Sequence, residues 1–168
     1  EWPDPARFGQ SEEYPQLPLL VYWAATLIFY GWGEETGWRG FALPRLQSRH
    51  NALIATLILS VFWALWHLPL FWFTDGYATM GLGGVAGWYV SILLGSILLT
   101  WLYNSASGSI LIVAIFHGTT DIVFNSPAPG DLATVIGGLM TIWGILVLLV
   151  YKPATLARTD MQVIQPTH

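Results

Sequence analysis

Residues 17–41, LPLLVYWAATLIFYGWGEETGWRGF, run apolar and then place Glu34, Glu35 and Arg39 in quick succession. A run of this kind reads as a bilayer span, because about 17–25 helical residues cross the hydrocarbon core. The rest of the chain agrees. Only 10% of the 168 residues are charged, 54% are hydrophobic, and the mean hydropathy is +0.54, outside the habit of soluble domains. The fold class expected is an all-α polytopic membrane protein.

Working outward, the first span is read from Leu17 to about Gly33, and Ala52 to Phe73, Val85 to Tyr103 and Leu132 to Tyr151 are comparably apolar. A fifth stretch, Ser109 to Phe124, is nearly as long but carries His117 and Asp121. Counting it as spanning leaves only short polar connections and gives a bundle of about five transmembrane helices, part of a larger helical core. Residues 1–16, polar and Pro-rich, read as a loop leading into the first span; residues 17–151 form the core and residues 152–168 a tail. The chain opens on Glu without a basic n-region, so no signal peptide is visible and further spans are expected upstream.

Antiparallel spans put Arg45, Arg49, Lys152 and Arg158 on one side and Glu1, Asp4, Glu12 and Glu13 on the other, with Arg7 alone on the wrong side. The positive-inside rule makes the basic loops and C-terminal tail cytoplasmic in a multi-pass protein of the cell membrane. The net charge of −4 follows from the acidic outer face, so membrane lipids are the expected surroundings and a nucleic-acid partner is not. Trp23, Trp72, Trp88, Trp101 and Trp143 fall toward span ends or bundle faces and read as anchors without a chemical role. With no cysteine there is neither a disulfide nor a thiolate metal site.

The buried charges carry the chemistry. Glu35 and Arg39 are four apart, with the acid first, and so pair on one helix face, whereas Glu34 points about 100° away and has no local partner. His67 sits late in the second span, where Pro69 removes an amide donor and kinks the helix. His117, Asp121 and Asn125 form a polar stripe that must face protein or a water-filled cavity. A charge at a helix centre costs roughly 2.5–3.5 kcal/mol, and such residues mostly mark pathways or sites. At 1.5 Å per residue, Glu34, His67 and His117 lie roughly 12–25 Å from the cytoplasmic turns, close enough to share one cavity after tilting. Gly33 and Gly37, at small-xxx-small spacing, would let a neighbouring helix approach the Glu34 turn.

One free carboxylate, two imidazoles and a second carboxylate suit the activation of water. In one version Glu34 acts as general base while His67 orients the water. In another, Glu34, His67, His117 and Asp121 supply ligands to a divalent metal such as zinc. Both versions stay open at this level.

The stretch EETGWRG resembles the EExxxRG motif of the CPBP family of intramembrane proteases, the CaaX-prenyl-endopeptidase and bacteriocin-processing group also called Abi. The family's FxxxH appears as FWALWH, with Trp63 four residues before His67 and Phe62 one position early, and its HxxxN or HxxxD as HGTTD, His117 to Asp121. The resemblance runs from about Phe29 to Asn125. It implies a helical core with the active site inside the membrane and an endopeptidase activity on a lipidated protein, a leader peptide or a membrane protein. By motif position Glu34 and His67 would activate the water, His117 and Asp121 would stabilise the oxyanion, and Glu35 and Arg39 would support the site. The resemblance admits both a metalloprotease and a metal-free glutamate mechanism, and the latter is preferred. Trp63 keeps an aromatic wall where the family has Phe. Asp121, if ionised, cannot donate to an oxyanion; it must be protonated, orient His117 or bind a metal.

Two readings compete with the protease: a non-catalytic scaffold or immunity factor that binds a peptide in the same cavity, and a proton-coupled transporter. A GxSxG nucleophile motif is missing, which disfavours serine chemistry. His50 reads as solvated beside Arg49; Asp75 and Asp131 as outer turns; Asn104, Ser105 and Ser107 as a cytoplasmic loop; Asp160 and His168 as parts of a disordered tail.

Overall fold

The helix that starts at Leu19 does not stop where the apolar run does. The computed structural model describes residues 9–11, 14–126 and 132–164. Its first helix, α1, covers residues 19–47: α-helical Leu19–Ala25, Glu35–Gly37 and Leu43–Gln47 alternate with π-helical Thr26–Glu34 and Trp38–Ala42. The helix thus runs on well past Gly33, where the apolar stretch was read to end. Glu35 and Arg39 pair within the helix, so the charges do not end it, and both carboxylates sit at mid-helix. π-Turns are rare and collect at functional sites; here they bracket Glu35–Gly37.

Asn51 caps α2 (Ala52–Trp66) by accepting from the Ile54 amide at 2.9 Å. The helix ends at His67, as the proline predicts: Pro69 has no N–H, and the chain turns through Leu68 into α3 (Leu70–Phe73) and α4 (Asp75–Ala78). The long α5 (Leu82–Ser105) follows. Ser109 caps α6 (Ile110–Phe124), and α7 (Leu132–Val150) closes the bundle. No strand occurs among the described residues. Ala52–Phe73 and Leu82–Ser105 are long and apolar enough to cross a bilayer; Ile110–Phe124 and Thr134–Val150 are shorter apolar helices. Large apolar side chains such as Leu20, Phe29, Phe73, Leu82 and Leu149 stand exposed on the outside, as lipid-facing residues do in a helical membrane protein.

The π-helical part of α1 packs mainly against α6. Their backbones come close at two glycines: a methyl on Gly31 would collide with the Ala114 carbonyl, and one on Gly118 would lie 3.1 Å from Leu27 Cα. Gly33 and Gly37 do not play this part. A methyl on Gly33 would meet only the Ile28 carbonyl of its own helix, and one on Gly37 would meet nothing. The wider π-turns shift which residues face the neighbour, which a count at α-helical spacing misses. Around α5, one apolar cluster joins Leu43, Leu59, Trp63, Leu99 and Val113, and another joins Ala52, Leu94, Ile97, Leu98, Val147 and Leu156.

The second cluster overturns the disordered tail. The amides of Ala52 and Leu53 donate to the carbonyls of Ala154 and Pro153, both at 3.0 Å, which docks the tail on the start of α2. Leu156 is fully buried although its φ is +49°. A left-handed non-glycine residue costs about 1–3 kcal/mol, and burying a leucine returns about 1.5–3 kcal/mol, so the docked conformation holds. Asn104 is likewise a buried helical residue rather than a loop residue. It exchanges side-chain amide bonds with Gln47 and donates to the Thr155 carbonyl at 2.8 Å; the Thr159 hydroxyl donates to its backbone oxygen. Asp160 is ordered there too, accepting from Gln162 through its carbonyl.

At the other end Trp23 donates to the Gly9 carbonyl, and the Gly9 amide donates to Ser126, each at 2.9 Å, so a piece of the leading loop is tied to α1 and α6. Glu1, Asp4, Arg7, Glu12, Glu13, Asp131 and His168 lie outside the described residues. His50 is exposed, as read.

Candidate active site

The site is built by three helices around one indole. In α1, Arg39 Nη1 donates to Glu35 Oε1 at 2.8 Å, and both residues are fully buried. The same oxygen receives His117 Nδ1 from α6 at 2.7 Å. Arg39 reaches α5 as well, where Nη2 donates to Ser96 Oγ at 3.3 Å. Ser96, fully buried, was not singled out in the sequence; its only signal is a hydroxyl in the apolar run LLGSILL.

Glu34 does find a partner. From α2, Trp63 Nε1 donates to Glu34 Oε2 at 3.1 Å. The Trp63 ring also stands edge-on to His67 at 5.7 Å and to His117 at 5.5 Å, and the Arg39 guanidinium lies 5.0 Å from its centroid. Trp63 is thus more than a wall: it touches Glu34, Arg39, His67 and His117, and its N–H does what no Phe can.

The imidazoles have defined faces. His67 Nδ1 lies 2.7 Å from the Trp63 carbonyl, which only accepts, so Nδ1 carries a proton and, in the neutral ring, Nε2 keeps the lone pair. His117 Nδ1 donates to Glu35, and Nε2 approaches Asp121 Oδ2 at 3.6 Å. A proton between Asp121 and His117 makes that approach attractive. Asn125 does not join them. It is exposed at the end of α6 and donates to the Asp121 backbone carbonyl at 2.9 Å, because the helix stops before the stripe completes its third turn. Trp88, expected to be only an anchor, stands 6.0 Å from His67 and 5.2 Å from Phe71, so it walls the site. Tyr77 of α4 completes this wall, 6.1 Å from Trp88.

Glu35 Oε2 and Arg39 Nε are buried without a hydrogen-bond partner. Such orphans are uncommon in native structures and collect where function outweighs satisfaction. Among the described residues no three His, Asp or Glu side chains gather as a ligand set. His117 and His67 commit Nδ1 to Glu35 and a carbonyl, which leaves their Nε2 atoms for other partners, and Glu34 Oε2 accepts from an indole N–H. A cavity of about 510 Å³ between α5 and α7, lined by Ser91, Gly95, Phe124 and Gly138 among others, includes none of these groups.

The sequence is similar to known proteins over the same stretch. A family model described as "Type II CAAX prenyl endopeptidase Rce1-like" matches residues 16–123. A protein described as "CAAX prenyl protease 2", from Methanococcus maripaludis, is 32% identical over 114 residues, covering 66% of this chain and 40% of that protein. The chain thus spans about two fifths of the length of the curated relative it matches. No solved structure matches.

Proposed function

This chain belongs to the Rce1-like family of type II CAAX prenyl endopeptidases, a family of peptidases, and from that premise we propose that it is a membrane-embedded, metal-free endopeptidase in which Glu34 is the general base. The observation that carries the reading is the Glu34 carboxylate held by Trp63 Nε1, with His67 and His117 against the same indole. One carboxylate oxygen is pinned and the other is left for a water. Glu34 takes a proton from that water as its oxygen attacks the peptide carbonyl, and the proton passes to the leaving amine. His67 Nε2 accepts the water's second O–H, which fixes the direction of attack. Glu35, Arg39 and Ser96 hold His117 in place beside Asp121.

The substrate class proposed is a membrane-associated or lipidated protein or peptide, in keeping with the family and with the name of the relative. Residues 17–151 form the protease core. Arg45 in the last turn of α1 and Arg49, Lys152 and Arg158 beyond the helix ends lie where the tail meets α2, which supports a cytoplasmic location for that end. The test compares new protein termini, by mass spectrometry, in membranes of cells carrying the natural full-length protein or its Glu34→Gln variant at equal abundance. Termini present only with Glu34 intact are expected and would name the substrate. Identical sets would favour a scaffold that binds a peptide in this cavity.

A further inference from the structure

The cavity of about 510 Å³ between α5 and α7 contains none of the charged groups, yet it lies on the same helix faces as they do. Residues three and four apart share a face of a helix. In α5 the wall residues Ser91 and Gly95 follow Trp88 at that spacing, and Trp88 stands 6.0 Å from His67. In α6 the wall residue Phe124 follows His117 and Asp121 in the same way. At 1.5 Å per residue, Ser91 and Phe124 each lie about 5 Å along their helix from Trp88 and Asp121. The cavity begins where the site ends.

Its walls suit a hydrocarbon. Among the described residues that line it none is charged, and the Ser91 hydroxyl is spent on the Gly87 carbonyl at 3.1 Å. Leu94, Phe124 and Met140 supply apolar surface, and the thioether adapts to an irregular occupant. Glycines make the room: a methyl on Gly95 or on Gly138 would meet nothing within 4 Å. Phe124 and Gly138 are exposed, so the cavity opens on the outside of the bundle, where lipid lies. Its volume falls within the range of about 300–1,000 Å³ that holds one small ligand. We propose that this cavity receives the hydrocarbon chain of a lipidated substrate and that Gly95 and Gly138 set the length of chain it accepts. The inference rests on the endopeptidase reading of the site and deepens it. A chain dissolved in the bilayer is already out of water, so seating it here gains little from the hydrophobic effect. What the cavity supplies is position. A chain anchored one turn from Asp121 and Trp88 tethers its peptide beside Glu34, and attack on a tethered carbonyl needs no second encounter.

The experiment measures steady-state cleavage of one quenched-fluorescent peptide carrying a geranyl, farnesyl or geranylgeranyl chain, by the full-length protein in lipid vesicles. Gly95→Leu and Gly138→Leu fill the cavity without a collision and replace a poor helix former, and thermal unfolding in detergent checks that both fold. The expected loss grows with chain length: kcat/KM falls about tenfold more for the geranylgeranyl than for the geranyl peptide. An equal loss for all three chains, or none, overturns the inference. A second arm reads the cavity without catalysis. The Glu34→Gln protein is photolabelled with the same peptide bearing a diazirine on its isoprenoid chain, and labels are mapped by mass spectrometry. Labels are expected in residues 91–95 and 134–141 and should vanish when Gly95→Leu is added. Labels confined to other segments overturn the inference, as does a copurified phospholipid that holds the cavity and blocks labelling. Full cleavage by Glu34→Gln, or none by the wild type, fails the endopeptidase reading, and the labelling still decides the cavity; cleavage that needs Glu34 but ignores chain length in the filled variants fails this inference alone.

Discussion

At Glu35 and Arg39 the molecule buries charge; further along the same helix, at Gln47, it buries only amides. The first cluster ties α1 to α5 and α6 through Arg39, Ser96 and His117, and it leaves Glu35 Oε2 and Arg39 Nε without partners. The second ties α1 to α5 and the tail with every amide group engaged. Gln47 Nε2 serves Asn104 Oδ1 and the Gln162 carbonyl at 3.2 and 2.6 Å; Asn104 Nδ2 serves Gln47 Oε1 and the Thr155 carbonyl at 2.9 and 2.8 Å. Both are buried polar networks, but a neutral network can be closed completely by backbone and side-chain partners. A charged one must also keep its field pointed at the reacting groups. The difference separates a fastening from a site.

The sharpest way to break the comparison is Arg39→Met. It strands the Glu35 carboxylate in the interior, and breaking a buried pair costs about 3–5 kcal/mol. Loss of thermal stability in detergent and loss of cleavage are both expected. Pairing it with Glu35→Gln removes the stranded charge, so the double variant should regain most of the stability and none of the turnover. Recovery of activity would mean that the ion pair does not hold His117 for the reaction.

Asn104→Ala acts on the other cluster. It leaves Gln47 and the Thr155 carbonyl short of partners, at about 1–3 kcal/mol for an unsatisfied buried group. The expected result is a lower melting temperature and a tail open to limited proteolysis, with turnover per folded molecule retained. A fall in turnover equal to that of Arg39→Met would show that the clasp also sets the geometry around Glu34. Smallest is Thr159→Ala, which removes one 2.6 Å bond to the Asn104 carbonyl. A loss of about 0.5–1.5 kcal/mol, read as faster tail proteolysis alone, would confirm that the clasp yields piece by piece.

Much of the site was legible in the primary structure because it depends on local spacing. The Glu35–Arg39 pair is a property of one helix, and the order of EETGWRG, His67 and HGTTD along three apolar stretches points to groups that must meet. The break at His67 follows from a proline's missing amide. Less local features were not legible. The 3.6-residue turn gave Glu34 no partner and assigned close approach to Gly33 and Gly37. The π-turns moved that contact to Gly31 and Gly118, and the partner of Glu34 came from another helix, as Trp63. Asn125 belonged to the stripe by count, yet it lies past the end of α6.

The tail shows the same boundary. Residues 152–164 have no periodic apolar pattern, so nothing in them announces that Leu156 will be buried or that Asn104 will wait for them inside α5. By itself the sequence determined that this is a helical membrane chain, which residues are too costly to bury without a use, and which of them pair along one helix. These depend on composition and on contacts within a few residues. Only the tertiary structure decided which indole holds Glu34, which serine anchors Arg39, where Tyr77 comes to stand and what fastens the tail. Each of these joins residues far apart in the chain, and such contacts are chosen by packing, which no local pattern records.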